Sequence, residues 1–329
     1  MTNADSSFES IADLSSVAVI IPTLNAAHDW PSLVTALNAQ GVPPEQILIV
    51  DSESDDGTPE AARICGYRVE RISRAGFNHG GTRQWALQFF PSARIVVYLT
   101  QDAIPAKDDS IMRLVDSFVD PGVAAAFGRQ LPRRSAGPIE AHARMYNYPD
   151  HSGMRTLSSR ETMGVKTIFL SNSFAAYRRS ALEGVGGFPT DVILGEDTIV
   201  AARLLLRGWH IAYDSDATVY HSHPYSSLDD FKRYFDTGVL HSRESWMLEE
   251  FGTTSGEGMR FVRSELSYLA KHNPALIPES LWRTLLKFGG YQLGKLESKL
   301  SPALKRRISM HHRFWAEAGE EKPEPLAFP

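Results

Sequence analysis

The sequence predicts an α/β protein with a mostly parallel central sheet flanked by helices, followed by a C-terminal helical extension. Three observations carry this. Apolar runs of strand length alternate with helical segments through residues 17–99. The runs are continuously apolar, as in strands covered on both faces. From Ser227 onward the pattern becomes helical. The expected division is an N-terminal extension (1–16), an α/β unit (17–225) and a helical region (226–329).

The elements follow in order. Val17 to Ile21 is an apolar run that Pro22 is expected to end. A helix is expected from His28 to Asn38, and a second strand from Gln46 to Val50, closed by Asp51. Pro59–Cys65 reads as a helix, Tyr67–Ile72 as a strand and Thr82–Phe90 as a helix behind Gly80-Gly81. Arg94–Leu99 is a fourth strand, ended by Thr100-Gln101-Asp102. Beyond Asp120-Pro121-Gly122 the pattern turns mixed. Strands are expected at Val123–Phe127, Phe169–Tyr177, Trp209–Tyr213 and Ala217–His221, with a helix at Asp197–Arg207. Residues 135–165 read as irregular. Residues 320–329, with three prolines and several acids, read as a frayed tail.

Composition narrows the function classes. A net charge of −5 argues against a nucleic-acid binder. Residues 281–315 are the exception, with eight basic side chains against Glu297 alone. Cys65 is the single cysteine, so no intramolecular disulfide can form, which fits a reducing compartment. The start of the chain lacks the basic, then apolar, pattern of a signal peptide. No apolar run approaches the ~18–20 residues that span a bilayer. The expectation is a cytoplasmic protein that, if it works at a membrane, lies on its inner face.

Ligands of open α/β sheets bind outside the carboxyl ends of the strands, and Asp51 and Asp102 both stand at such ends. Pro22-Thr23-Leu24-Asn25 after the first strand has no glycine, which excludes a G-x-G-x-x-G dinucleotide loop. Gly80-Gly81 before a helix could form an anion site from backbone N–H groups, with Arg83 adding a contact to phosphate. An ordinary loop would look the same. A hard cation bridging two phosphates needs only one or two protein carboxylates, and Asp102 suits that role. Glu196-Asp197 opens a helix, where acids are stabilised by the macrodipole. A carboxylate there could also take a proton, if a neighbouring charge or burial raises its pKa. His221 and His223, two apart on a strand, share a face and could ligate a metal or be structural.

In combination these segments resemble the inverting family 2 glycosyltransferases of GT-A fold. The carriers are Val19-Ile20-Ile21-Pro22-Thr23-Leu24-Asn25, then Val50-Asp51-Ser52 with Asp56-Gly57-Thr58, the carboxylate at the fourth strand end, and Gly186-Gly187-Phe188 with Glu196-Asp197. Finer text is similar to the rhamnosyltransferase branch: Phe77-Asn78-His79-Gly80, Thr100-Gln101-Asp102-Ala103, Gly128-Arg129-Gln130-Leu131-Pro132, Tyr146-Asn147-Tyr148-Pro149, Ser171-Asn172 and His221-Ser222-His223. The match covers residues 17–225.

The resemblance implies roles. Pro22, Thr23, Asn25, Asp51 and Ser52 would line the donor's nucleoside pocket, with Asn78, Arg83 and Gln101 completing it. Asp102 matches the last acid of a metal-binding D-x-D whose first acid is here Thr100, so His221 would join it to hold Mg2+ or Mn2+. Asp197 matches the catalytic base. Arg129, Asn172, Glu196 and His223 would contact the transferred sugar or the acceptor. Ser52 stands where many members have a second acid, and Gln84 where the branch often has Asn, which leaves base selectivity open. The implied reaction is inverting transfer of a sugar, L-rhamnose from dTDP-L-rhamnose, to a saccharide or lipid-linked saccharide in bacterial surface polysaccharide synthesis. A UDP- or GDP-sugar donor is the nearest alternative. A sugar nucleotidyltransferase would need a Gly-rich loop after the first strand. An inactive nucleotide-sugar-binding module would keep Asp51 without needing Asp197. Leu281, Leu285, Phe288, Leu293, Leu296 and Leu300 alternate with basic residues, which suits an anionic membrane surface or, equally, packing against the catalytic domain or another subunit.

Overall fold

The computed structural model describes residues 14–252 and 255–315. Most of the expected N-terminal extension, and the expected tail, lie outside the described residues. Nine strands form one sheet, in the order β3-β2-β1-β4-β8-β6-β9-β5, with β7 paired to β9.

The first half alternates as the sequence predicts. β1 (Val17–Thr23), α1 (Trp30–Asn38), β2 (Ile47–Asp51), α2 (Thr58–Ile64), β3 (Arg68–Arg71), α3 (His79–Ala86) and β4 (Ile95–Leu99) follow in order. β3, β2, β1 and β4 are all parallel. Burial explains the unbroken apolar runs. Ile20, Leu48, Val96 and Tyr98 feed one core, while Val19, Ile21, Ile49 and Val97 feed another on the opposite face. β1 runs through Pro22 instead of ending there. Its ladder with β4 stops at Ile20, so proline's missing N–H leaves no gap on that side.

The second half departs from expectation in four places. β5 (Ile104–Pro105), α4 (Ser110–Asp116) and β6 (Val123–Leu131) lead into residues 135–165, which are not irregular. They hold α5 (Pro138–Asn147), with proline in its first turn, then β7 (Gly153–Arg155) and α6 (Arg160–Met163). β8 is only Phe174–Arg178, so Ser171 and Asn172 sit in the turn before it. After α7 (Arg179–Gly184) and α8 (Glu196–Leu206), the two expected short strands are one long β9 (His210–Tyr220). Its register against β6 jumps between Gly128↔Asp214 and Arg129↔Thr218, a bulge that explains the break in the apolar pattern. Four of the eight strand pairings are antiparallel, so the sheet is mixed, not mostly parallel.

Helices α9 (Ser227–Arg243), α10 (Trp246–Phe251), α11 (Ser255–His272), α12 (Ile277–Lys295) and α13 (Pro302–Ile308) complete the described chain. α9 and α12 touch backbone to backbone. A Cβ on Gly294 would lie 2.1 Å from the Phe235 carbonyl oxygen, and one on Gly238 2.2 Å from that of Tyr291. The helical region returns to the sheet unit, where the His311 ring packs edge-on to His79 at 5.0 Å. Among the described residues, no helix is long and apolar enough to cross a membrane.

Candidate functional site

The carboxyl ends of β1, β2 and β4 open onto one crevice. Thr23 and Asp51 are register partners on neighbouring strands, and the Thr23 hydroxyl donates to Asp51 Oδ1 at 3.2 Å. Asp51 also accepts from Ser54 N at 2.9 Å and is fully buried. The Ser52 hydroxyl is buried with no partner. Asn25 has left-handed backbone (φ 50°) and is pinned on both sides: its N–H donates to Ser54 Oγ, and its Oδ1 accepts from Asp55 N. The loop after β2 is thus buckled to the loop after β1, with Asp56 Oδ2 also accepting from Ala27 N at 2.8 Å. Gln101 is fully engaged there as well. Its amide accepts from Leu24 N at 2.7 Å and donates to Leu24 O at 3.1 Å, as a strand neighbour would.

Gly80 and Gly81 lie in the first turn of α3, not before it, and do not form an open anion site. Asn78 caps the helix by accepting from Gly81 N at 2.7 Å, and its amide donates to Thr190 O. A Cβ on Gly80 would lie 1.9 Å from Pro189 O, so that glycine permits close packing of the 189–190 segment. Arg83 points inward rather than towards the crevice. It is 5 % exposed and donates to Glu196 Oε1 at 3.0 Å and to His79 O at 2.8 Å.

At the start of α8 the two adjacent acids part company. Glu196 is buried against Arg83 and accepts from the Asn172 amide at 3.0 Å. Burial is the largest influence and opposes its charge, but the Arg83 guanidinium, His79 and the hydrogen bonds from Asn172 and the backbone together hold its carboxyl below the usual range. Asn172 is 2 % exposed, and its Oδ1 accepts from the Tyr177 hydroxyl at 2.7 Å. Glu196 and Asn172 thus spend their polar groups on the protein, and neither presents one to an acceptor. Asp197 keeps partial access to solvent. Burial and the like charge of Glu196 push its carboxyl up to about 7, against hydrogen bonds from Asn172 N at 3.0 Å and Thr198 N at 2.8 Å.

The third group stands at the end of β4. Asp102 Oδ2 lies 3.3 Å from His221 Nε2 and 3.6 Å from His223 Nδ1. One potential ligand atom from each residue fits within a 4.8 Å cluster. Ligand atoms sharing an octahedral ion at ~2.1 Å stand roughly 3 Å apart when adjacent, so small adjustments would close this set on one cation. His223, expected to touch sugar or acceptor, therefore belongs with the metal candidates. Burial raises Asp102, but the His221 hydrogen bond and the charges of both histidines hold it well below the carboxylate range. Burial lowers His221, against the pull of Asp102, and takes His223 down to about 4; an imidazole that has given up its second proton is the form that ligates metal. Arg133 ties the cluster's backbone, donating to Asp102 O at 2.9 Å and to Asp29 at 2.8 Å.

Arg129 is turned away from this group and donates to Tyr148 O at 3.2 Å. Successive side chains of a strand leave on opposite faces, and it is Gln130 that reaches His221, with Oε1 2.8 Å from Nδ1. Gln130 lies in the Gly128–Pro132 segment that carried the resemblance, but no role was expected of it, since a neutral amide in a strand names no chemistry by itself.

The family model for glycosyl transferase family 2 matches residues 18–186. The O-antigen chain rhamnosyltransferase RfbN of Salmonella typhimurium (strain LT2) is 43% identical over 300 residues, covering 91% of this chain and 96% of that protein. The O-antigen chain rhamnosyltransferase WbaN of Salmonella anatum is 43% identical over 301 residues, with the same coverage of each. Among solved structures, the mannosyltransferase PcManGT from Pyrobaculum calidifontis, in complex with GDP-Man and Mn2+, superimposes with a TM-score of 0.53 at 21% identity, over 92% of this chain and 86% of that one. That likeness bears out the fold expected from the sequence.

Proposed function

This chain belongs to glycosyl transferase family 2, and we propose that it transfers L-rhamnose, with inversion, from dTDP-L-rhamnose to a saccharide or lipid-linked acceptor of O-antigen type. The observation that carries the sugar is 43% identity across nine-tenths of the chain to two proteins named as O-antigen rhamnosyltransferases. The mechanism rests on the crevice. Thr23, Asp51 and Ser52 form the floor of the nucleoside pocket, and Pro22 and Asn25 its rim. Asn78, Arg83 and Gln101 shape that pocket through the protein contacts they make, not by touching the donor.

Asp102, His221 and His223 would hold a divalent cation. Two imidazoles with one carboxylate suit Mn2+ better than Mg2+, which prefers oxygen ligands. When bound, the cation supplies charge neutralisation for the departing nucleoside diphosphate. Asp197 is the base. It takes the proton of the acceptor hydroxyl as that oxygen bonds to the anomeric carbon, and the bond to the diphosphate oxygen breaks on the opposite face. Glu196, fixed by Arg83 and Asn172, stays ionised behind Asp197 and keeps its pKa near the working pH.

Exposed Leu281, Trp282, Leu285 and Phe288 on α12, with Lys295 and Lys299 beyond them, fit the cytoplasmic face of an anionic membrane, where a lipid-linked acceptor would reside. The basic charge available is smaller than the sequence count, because Arg283 and Lys287 pair with Asp230, and Lys305 with Glu297. A transfer assay against dTDP-rhamnose, UDP-sugars and GDP-sugars tests the donor. Turnover with dTDP-rhamnose alone is expected, and turnover only with a UDP- or GDP-sugar would refute the rhamnose reading.

A further inference from the structure

The His221 ring is held from behind by two residues outside the ligand set. Gln130 is 1 % exposed. Its Oε1 lies 2.6 Å from Arg144 Nη1 and 2.8 Å from His221 Nδ1, and its amide nitrogen donates to Ser171 Oγ at 3.2 Å. Guanidinium nitrogens only donate. The Arg144 contact therefore decides which end of the Gln130 amide is oxygen, an orientation that heavy-atom positions alone would leave open. With oxygen facing His221, Nδ1 must carry the ring proton. Nε2 then either donates a second ring proton to Asp102 Oδ2, 3.3 Å away, or, once that proton is displaced, offers its lone pair to a cation shared with Asp102. Two lone pairs facing each other repel unless a cation or a proton lies between them.

We propose that Gln130, aligned by Arg144, is a positioning residue that fixes His221 as the Nδ1–H tautomer and so presents Nε2 to a divalent cation shared with Asp102. Histidine ligands are commonly oriented by a hydrogen bond at the far ring nitrogen, and losing that partner costs ~10–100-fold in metal affinity. Here an uncharged acceptor does the orienting, and the arginine that aligns it stands one residue further from the cation. The inference also accounts for how a site with Thr100 in place of the first acid of a D-x-D can still be competent. The histidine pair substitutes for the missing carboxylate, and the Gln130–Arg144 arm sets the geometry of one member.

The inference rests on the metal reading above, and the test separates the two. Mn2+ binding to the full chain is titrated by electron paramagnetic resonance with dTDP present, for wild type, Gln130→Met and Gln130→Glu. Methionine fills the volume without an acceptor, whereas glutamate keeps one and can pair with Arg144. Gln130→Met should bind Mn2+ ~10–100-fold more weakly, and Gln130→Glu should restore affinity to near the wild-type value. Nitrogen-15 spectra of histidine-labelled, metal-free wild type should show His221 protonated at Nδ1. That measurement stands even if Gln130→Met fails to fold. Unchanged Mn2+ affinity in Gln130→Met, or a His221 ring whose one proton sits on Nε2, overturns the inference alone. A wild-type protein that takes up no Mn2+ overturns it together with the metal reading.

Discussion

Asp102 and Asp197 are the same side chain, and the protein drives them in opposite directions. Asp102 faces two imidazoles and is held well below the carboxylate range. Asp197 has an ionised carboxylate as its chain neighbour and is pushed up to about 7. The first is suited to carry permanent negative charge towards a cation, the second to take up a proton near neutral pH. The difference teaches that role follows from the neighbours. Two carboxylates whose environments separate their pKa values divide a reaction between them.

The comparison can be broken first on the Asp102 side. Chelation with EDTA should abolish transfer, and added Mn2+ should restore it; full turnover without metal would remove Asp102, His221 and His223 from the mechanism. On the other side, Asp197→Asn should lower kcat by ~10²–10⁴-fold, with dTDP-rhamnose affinity unchanged by calorimetry. The same variant should gain heat stability at alkaline pH. A raised carboxyl pKa favours the fold below the unfolded-state value of 3.8, and that contribution is lost as pH rises through about 7. The melting-temperature gap between Asp197→Asn and wild type should therefore widen as pH rises from about 3.8 to about 7 and level off above it.

Glu196 separates the two regions more finely. Glu196→Gln leaves Arg83 buried opposite a neutral amide, and unpairing a buried ion costs about 3 kcal/mol. Denaturant titration reads that loss. The smallest effect belongs to the surface. Phe288→Ser on α12 should change folding stability by no more than ~0.5 kcal/mol, leave transfer to a soluble acceptor intact and weaken flotation with anionic liposomes. Undiminished flotation would mean that this face does not touch lipid.

The legible parts of this molecule share a cause. β1, β2 and β4 were visible because burial on both faces writes an unbroken apolar run, and the ends of β2 and β4 located Asp51 and Asp102. The shared face of His221 and His223 followed from a period of two, although only the structure drew His223 to Asp102. The division of labour between Glu196 and Asp197 was hidden. Neighbours on a helix differ by ~100° in direction, and nothing local says which faces Arg83, more than a hundred positions earlier in the chain. Asn172 and Arg83 were assigned outward for the same reason, since a polar residue reads alike whether it meets a substrate or a buried partner. α5 carried a readable signal in Gly137-Pro138, because proline favours the first turn of a helix, but its apolar positions are too sparse to show a period.

The most direct test is the pH dependence of kcat with saturating donor, in wild type and in Glu196→Gln. Wild type should lose activity as pH falls through about 7, the value set by burial and by Glu196. Removing that like charge should move the acid limb to lower pH. A kcat that stays flat between about pH 5 and 8, or a limb that does not move in Glu196→Gln, would contradict the claim that Asp197 is the base and that Glu196 tunes it.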